Sequence, residues 1–198
     1  MAVNEGARAI GKRAVSKQIS EAGRELFERF GFEATSVDEI ALLAGISPRT
    51  FYRYFSSKEE LVLSWLDDLG PVVRRRLIER PASEPMLEAL RRCLDPFSSL
   101  TGQQKREFDL VARLSQESPS LHSGILQHWE YWEHDLSLAI GIRMNVDTTQ
   151  DDRPSFYAAF TMAGLRAAWR RRALIPRTKL ATHLDRYFLL RSGPIPAQ

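Results

Sequence analysis

Apolar side chains recur three and four residues apart through most of the chain, the spacing that puts them on one face of a helix. Residues 13–30 carry Val15, Ile19, Ala22, Leu26, Phe27 and Phe30 in this way until Gly31 stops them. Two short segments follow, one bearing Val37, Ile40, Ala41 and Ala44, the other Ile46, Phe51, Tyr54 and Phe55. Ser57 and Glu60 have capping-box spacing and open a helix through Leu61, Trp65, Leu66 and Leu69, which Pro71 interrupts or kinks. Ser83 then starts a helix with Met86, Leu87, Leu90, Cys93, Leu94 and Phe97, ended by Thr101 and Gly102. The next carries Phe108, Val111, Ala112 and Leu114 as far as Ser118 and Pro119. A long stripe comes after it: Leu121, Ile125, Trp129, Trp132, Leu136 and Ile140. Beyond a polar loop at 145–153, Pro154 opens a helix rich in small residues, and a last helix begins around Thr178 with Leu180, Leu184, Tyr187 and Phe188. No alternating run of β-branched residues and no Asn-Gly turn competes, so the pattern predicts an all-α chain of about nine helices.

Residues 36–55 carry the most specific local chemistry. Ser36 is a good N-cap and Glu39 stands where it completes a capping box, so a helix opens at Val37. Gly45 can take the left-handed conformation that closes it. Ser47 caps a second helix whose first residue, Pro48, lacks only an N–H that would be unpaired there. Ala41 is small enough for the second helix to cross closely. Ser47, Pro48, Arg49, Thr50, Tyr52 and Arg53 remain outside, while Phe51 and Phe55 read as core. This is a helix-turn-helix, in which the second helix enters the DNA major groove by its first residues; a plain helical hairpin is the competing reading.

Composition changes this picture little. The formal charge is +3 over 198 residues, compatible with a polyanionic partner. Residues 1–60 hold nine Lys/Arg and nine Asp/Glu, so bulk charge does not mark a DNA-reading end. Arg8, Lys12, Arg13 and Lys17 do form an acid-free run, either an arm for phosphates or a solvated terminus. No apolar run is long enough to span a membrane and no signal-peptide core is present, so a cytoplasmic protein is expected. The single cysteine, Cys93, lies on an apolar stripe and reads as core. His122, His128, His134 and His183 lack metal-ligand spacing, and neither a phosphate loop nor a nucleophile elbow occurs. No metal, no cofactor and no enzymatic activity are expected.

The segment LFERFGFEATSVDEIALLAGISPRTFYRYFSSKEEL resembles the N-terminal domain of the TetR family of bacterial transcription regulators, in its Phe-Gly-Phe turn, Ala-Gly-Ile-Ser, Thr-Phe-Tyr and Phe-x-Ser-Lys. The resemblance implies a three-helix DNA-binding domain, here 1–57, and a helical ligand-binding and dimerisation domain, here 58–192; the Gly- and Pro-bearing end at 193–198 reads as a flexible tail. It implies that Ser36, Ser47, Pro48, Arg49, Thr50, Tyr52, Tyr54 and Lys58 face double-stranded operator DNA. Arg49 has the reach and fork to bond a guanine edge; Thr50, Tyr52, Tyr54 and Lys58 suit phosphates, and Ser36 and Ser47 bring helix N-termini to the backbone.

A homodimer is expected as well, since one helix-turn-helix makes few contacts and a two-fold pair reads a palindrome. The helices at about 154–174 and 178–190 would form the seam between protomers, unless their small residues pack within one subunit. Trp65, Phe97, Phe108, Trp129, Trp132 and Phe160 either line an apolar ligand cavity or form core. The second half weakly resembles a subgroup described as binding acyl-CoA-like ligands, through Trp-Glu-Tyr-Trp-Glu at 129–133 and Gly-Leu-Arg-Ala-Ala-Trp at 164–169. Arg170, Arg171 and Arg172 would then meet phosphates, or simply complement a helix end. The two serines at 56 and 57 leave no slack between the domains, so the expected function is a repressor whose ligand shifts the helix starting at Lys58 and thereby releases DNA. A helical adaptor that never touches DNA is the alternative.

Overall fold

The computed structural model describes residues 2–175 and 178–189, with side chains from residue 11 onward except that of residue 173. The side chain of Arg8 and the 193–198 tail therefore lie outside the described residues. Those described form eleven helices and no strand: α1 (Ala2–Phe30), α2 (Val37–Leu43), α3 (Pro48–Tyr54), α4 (Lys58–Ser64), α5 (Leu69–Ile78), α6 (Met86–Cys93), α7 (Asp95–Ser98), α8 (Gly102–Glu117), α9 (Pro119–Met144), α10 (Arg153–Leu174) and α11 (Leu180–Leu189).

The first three helices make a small head. Ile19, Ala22 and Phe27 of α1 share a core with Ile40 and Ala44 of the α2 segment and with Phe51 and Phe55 around α3. Phe30, on the same sequence stripe, is 56% exposed, because α1 has run past its partners by then. Its ring lies 5.0 Å from the Arg29 guanidinium instead. Gly45, at φ +65°, closes α2 in a Schellman arrangement: its N–H donates to Leu42 O and that of Ile46 to Ala41 O.

Two helices expected to be continuous are broken. The chain turns between Ser64 and Leu69, and Pro71 interrupts nothing, since it lies in the first turn of α5, where an N–H has no helical partner. The break lets α5 cross α9 closely: a Cβ on Gly70 would stand 2.7 Å from Trp132 Nε1. A second break, at Leu94, separates α6 from the single turn α7.

α9 is the spine of the body, packed against α10, α5, α8 and α4. Leu121, Ile125, Trp129, Trp132, Leu136 and Ile140 are all buried, as their spacing predicts. Asn145 ends α9 in the left-handed conformation. The small residues of α10 divide between two faces. Ala158, Gly164 and Ala168 point inward, and Gly164 admits Tyr187 of α11, whose ring would be 2.3 Å from an added Cβ. Tyr187 Oη completes the fit by donating to Phe160 O at 3.0 Å. Ala159 and Ala163 are only half-buried, and Ala167 and Phe156 are exposed. Cys93 is fully buried, and burial pushes its thiol up to about 12, which removes it as a nucleophile.

Candidate DNA-reading surface and ligand cleft

The head presents α3 by its first turn. Ser47 Oγ accepts from Thr50 N at 3.1 Å and lies 3.0 Å from Thr50 Oγ1, so the two hydroxyls hold one another at the helix start. Pro48, Arg49 and Tyr52 are exposed, and Arg49 has no ion-pair or hydrogen-bond partner among the described residues. A guanidinium left free on the first turn of a helix is what direct readout of a base edge requires. Arg53, also exposed, lies over the half-buried Tyr54 ring at 5.4 Å. At the start of α2, Glu39 Oε2 accepts from both the backbone N–H and the hydroxyl of Ser36, each at 2.8 Å. Those bonds hold the Glu39 carboxyl below its ordinary pKa.

Lys58, expected to face the operator, is tied within the head. Its ammonium donates to Phe32 O at 2.8 Å and Thr35 O at 3.1 Å, and sits 4.4 Å from the centre of the Phe32 ring. Two of its three donors thus buckle the start of α4 to the turn between α1 and α2. Glu60 also departs from expectation. Its carboxylate reaches past Ser57 to the backbone N–H and hydroxyl of Ser56, while Ser57 Oγ still caps α4 by accepting from Glu60 N.

The six candidate ligand aromatics do not surround one cavity. Phe97, Phe108, Trp129 and Trp132 join Trp169 in a packed ring cluster, with centroids 4.7–5.7 Å apart along it. Trp65 packs edge-on against Phe27 of the head, and Phe160 lies between Tyr187 and Phe188. Only Trp129 lines the large cleft of the body, about 890 Å³, which opens between the end of α8, the first half of α9 and the last turns of α10. Ile125, Leu126, Trp169 and Leu174 add apolar wall, Arg166 and Arg170 add cations, and Glu117 adds one anion. Arg166 is held 3.4 Å from Glu133, whereas Arg170 is exposed with no partner among the described residues. The two sequence segments at 129–133 and 164–169 do meet here: Trp129 and Trp169 are 4.7 Å apart, edge to face. Leu126 and Leu174, 47% and 70% exposed, carried no sequence signal beyond their hydrophobicity.

The first turns of α9 touch both regions. Pro119, His122, Ser123 and Ile125 line the cleft. From the same segment, Ser120 Oγ donates to Glu59 Oε1 of α4 at 3.0 Å, and Gly124 receives Leu63, whose Cδ1 would be 2.9 Å from an added Cβ. Among the described residues there is no group of metal-ligating side chains, and no helix is long and apolar enough to cross a membrane.

Residues 19–64 match the family of bacterial regulatory proteins of the tetR type, and residues 84–193 match the MftR C-terminal domain. The HTH-type transcriptional regulator TcmR of Streptomyces glaucescens is 32% identical over 164 residues, covering 78% of this chain and 71% of that protein. MftR of Mycobacterium tuberculosis is 29% identical over 160 residues, 79% of each chain. Among solved structures, the fatty acid degradation regulator FadR from Bacillus halodurans superposes with a TM-score of 0.62 at 17% identity, over 93% of this chain and 97% of that one. FadR from Bacillus subtilis in complex with stearoyl-CoA gives 0.59 at 18% identity, over 91% and 99%. At these identities the two structures share the fold. With a matched DNA-binding head, a family domain over more than half its length and a relative at 32% identity, the chain belongs to the TetR family of DNA-binding transcriptional regulators, which act by binding DNA and not by catalysis.

Proposed function

We propose that the protein works in the cytoplasm as a homodimeric repressor, which grips a palindromic operator and lets go when an acyl-CoA-like ligand enters the cleft beside Trp129 and Trp169. The observation that carries this reading is the double contact of the α9 start. A ligand that moves Pro119, His122 or Ile125 also moves Ser120 and Gly124, and with them Glu59 and Leu63 of α4. Coupling of this kind is worth about 1–3 kcal/mol, enough to empty an operator.

In the bound state Arg49 reads a guanine, while Ser36, Ser47, Thr50, Tyr52 and Tyr54 fix register on the backbone. Lys58 has one N–H left for a phosphate after its two carbonyls. The outward row Phe156, Ala159, Ala163 and Ala167 of α10 supports a seam with a second copy, its small residues allowing close approach. Two heads so joined present their recognition helices about 34–36 Å apart, or a multiple of that. The apolar cleft with two arginines fits an acyl chain attached to an anionic head, the ligand class named for the FadR–stearoyl-CoA complex.

Selection of bound sequences from random duplex DNA tests all of this together. A palindrome is expected, its binding lost on adding dodecanoyl-CoA, and Arg49→Ala is expected to flatten preference at one base pair per half-site by about 1–3 kcal/mol. A monomer in sedimentation at micromolar concentration, or an operator without symmetry, would overturn the dimer.

A further inference from the structure

Next to the apolar cleft lies a second hollow of about 450 Å³, and Ala112, Gln116 and Trp169 line both, so the two share a wall. This groove differs in chemistry. Lys105, Arg106 and Arg113 of α8 and Arg172 of α10 line it, against only Asp109 and Glu28. Asp109 is divided between two cations, 2.6 Å from Lys105 and 2.9 Å from Arg172. Arg113 has a loose pairing with Glu117 at 3.6 Å, and Arg106 has no partner among the described residues. The groove therefore carries uncompensated positive charge beside the cleft. Its one remaining anion, Glu28, belongs to α1, the helix that supports the DNA-reading head, and has no ion-pair partner among the described residues.

We infer that the phosphorylated head of an amphiphilic ligand lies in this groove and competes there with Glu28 for Arg106 and Arg113. The inference rests on the reading of the neighbouring cleft as the ligand site. Without ligand, the cations of α8 attract Glu28 and draw α1 toward the body. A phosphate in the groove takes over those cations and repels the carboxylate, so ligand charge acts directly on the head, in addition to whatever the chain does through α9. Asp109, buckled between Lys105 and Arg172, keeps these two in place and leaves Arg106 and Arg113 as the groups open to the newcomer.

The test uses the full chain and four probes: dodecanoyl-CoA, dodecanoyl lysophosphatidate, CoA alone and uncharged dodecanol, with binding read by calorimetry and tryptophan fluorescence. Arg106→Gln combined with Arg113→Gln is expected to weaken both phosphorylated amphiphiles about tenfold. Glu28→Gln is expected to tighten them about threefold at low salt, an effect that fades as salt rises. Neither variant changes dodecanol binding. In operator-release assays Glu28→Gln narrows the difference between dodecanoyl-CoA and dodecanol. Either phosphorylated amphiphile behaving this way supports the inference, and the tighter one names the source of the phosphate. Dodecanol and dodecanoyl-CoA binding alike to all three proteins would overturn the groove and leave the cleft standing. No apolar probe binding at all would overturn both.

Discussion

In the head, α2 and α3 are seven residues each, too short to persist alone, and three of their four ends are tied by local chemistry: Ser36 with Glu39, Gly45 and Ile46 with their backbone bonds, Ser47 with Thr50. In the body, α9 runs for 26 residues, and what fixes it is a cluster of rings from four helices closing around Trp132 and Trp169. The first region is held by its ends and the second by its middle. A DNA reader needs side chains at fixed positions on a rigid turn, which caps supply. If the body takes a ligand as proposed, it needs a core that can admit a guest at its edge, and an aromatic cluster bordering an open cleft fits that need.

The contrast can be pressed hardest at Trp132. Trp132→Ala is expected to cost about 3–5 kcal/mol in urea unfolding, because it opens a cavity between α5, α7 and α9 that Gly70 cannot fill. A loss under 1 kcal/mol would mean that the body is not held by its rings. Gly45→Ala tests the head in the same units. Its positive φ penalises any Cβ, and about 1–2 kcal/mol is expected, accompanied by weaker operator binding as α3 loses its angle to α2. Retained stability and retained binding would show that the turn is not what sets that angle.

The smallest effect lies at the start of α2. Ser36→Ala is expected to cost about 1 kcal/mol as the cap is lost. The same site gives an acid dependence. Folding lowers the Glu39 pKa from its ordinary 4.5, so its contribution is present above that value and is lost as pH falls through the lower folded one. Ser36→Ala should flatten that part of the pH–stability curve, measured by thermal melts across the acid range. An unchanged curve would separate Glu39 from the cap.

How far the amino-acid order discloses the structure follows the same division. The Ser36–Glu39 capping box, Gly45 and the serine-proline start act over a few neighbouring residues, so they were legible, and so was the stripe of α9, whereas Glu60 turned to Ser56 and not to Ser57. The close crossing of α5 over α9 was not, because it depends on Trp132 standing against Gly70, more than sixty residues away. Nor could helical spacing tell which aromatic rings meet each other and which meet open space. Phe97, Phe108 and Trp132 stack into the core, while Leu126 and Leu174, unremarkable in sequence, flank the cleft. The double duty of Lys58 was hidden for the same reason: its carbonyl partners lie 26 and 23 residues back along the chain.

That lysine has a further consequence for how the regulator would switch. By clasping Phe32 O and Thr35 O it removes the play between α4 and the rest of the head, so a push on α4 turns all of α1, α2 and α3 together. Induction would then leave the letters read in each half-site unchanged and alter only the gap over which two half-sites can be read at once. Operators with one or two base pairs inserted at their centre would discriminate between the induced and uninduced protein better than operators with altered arms.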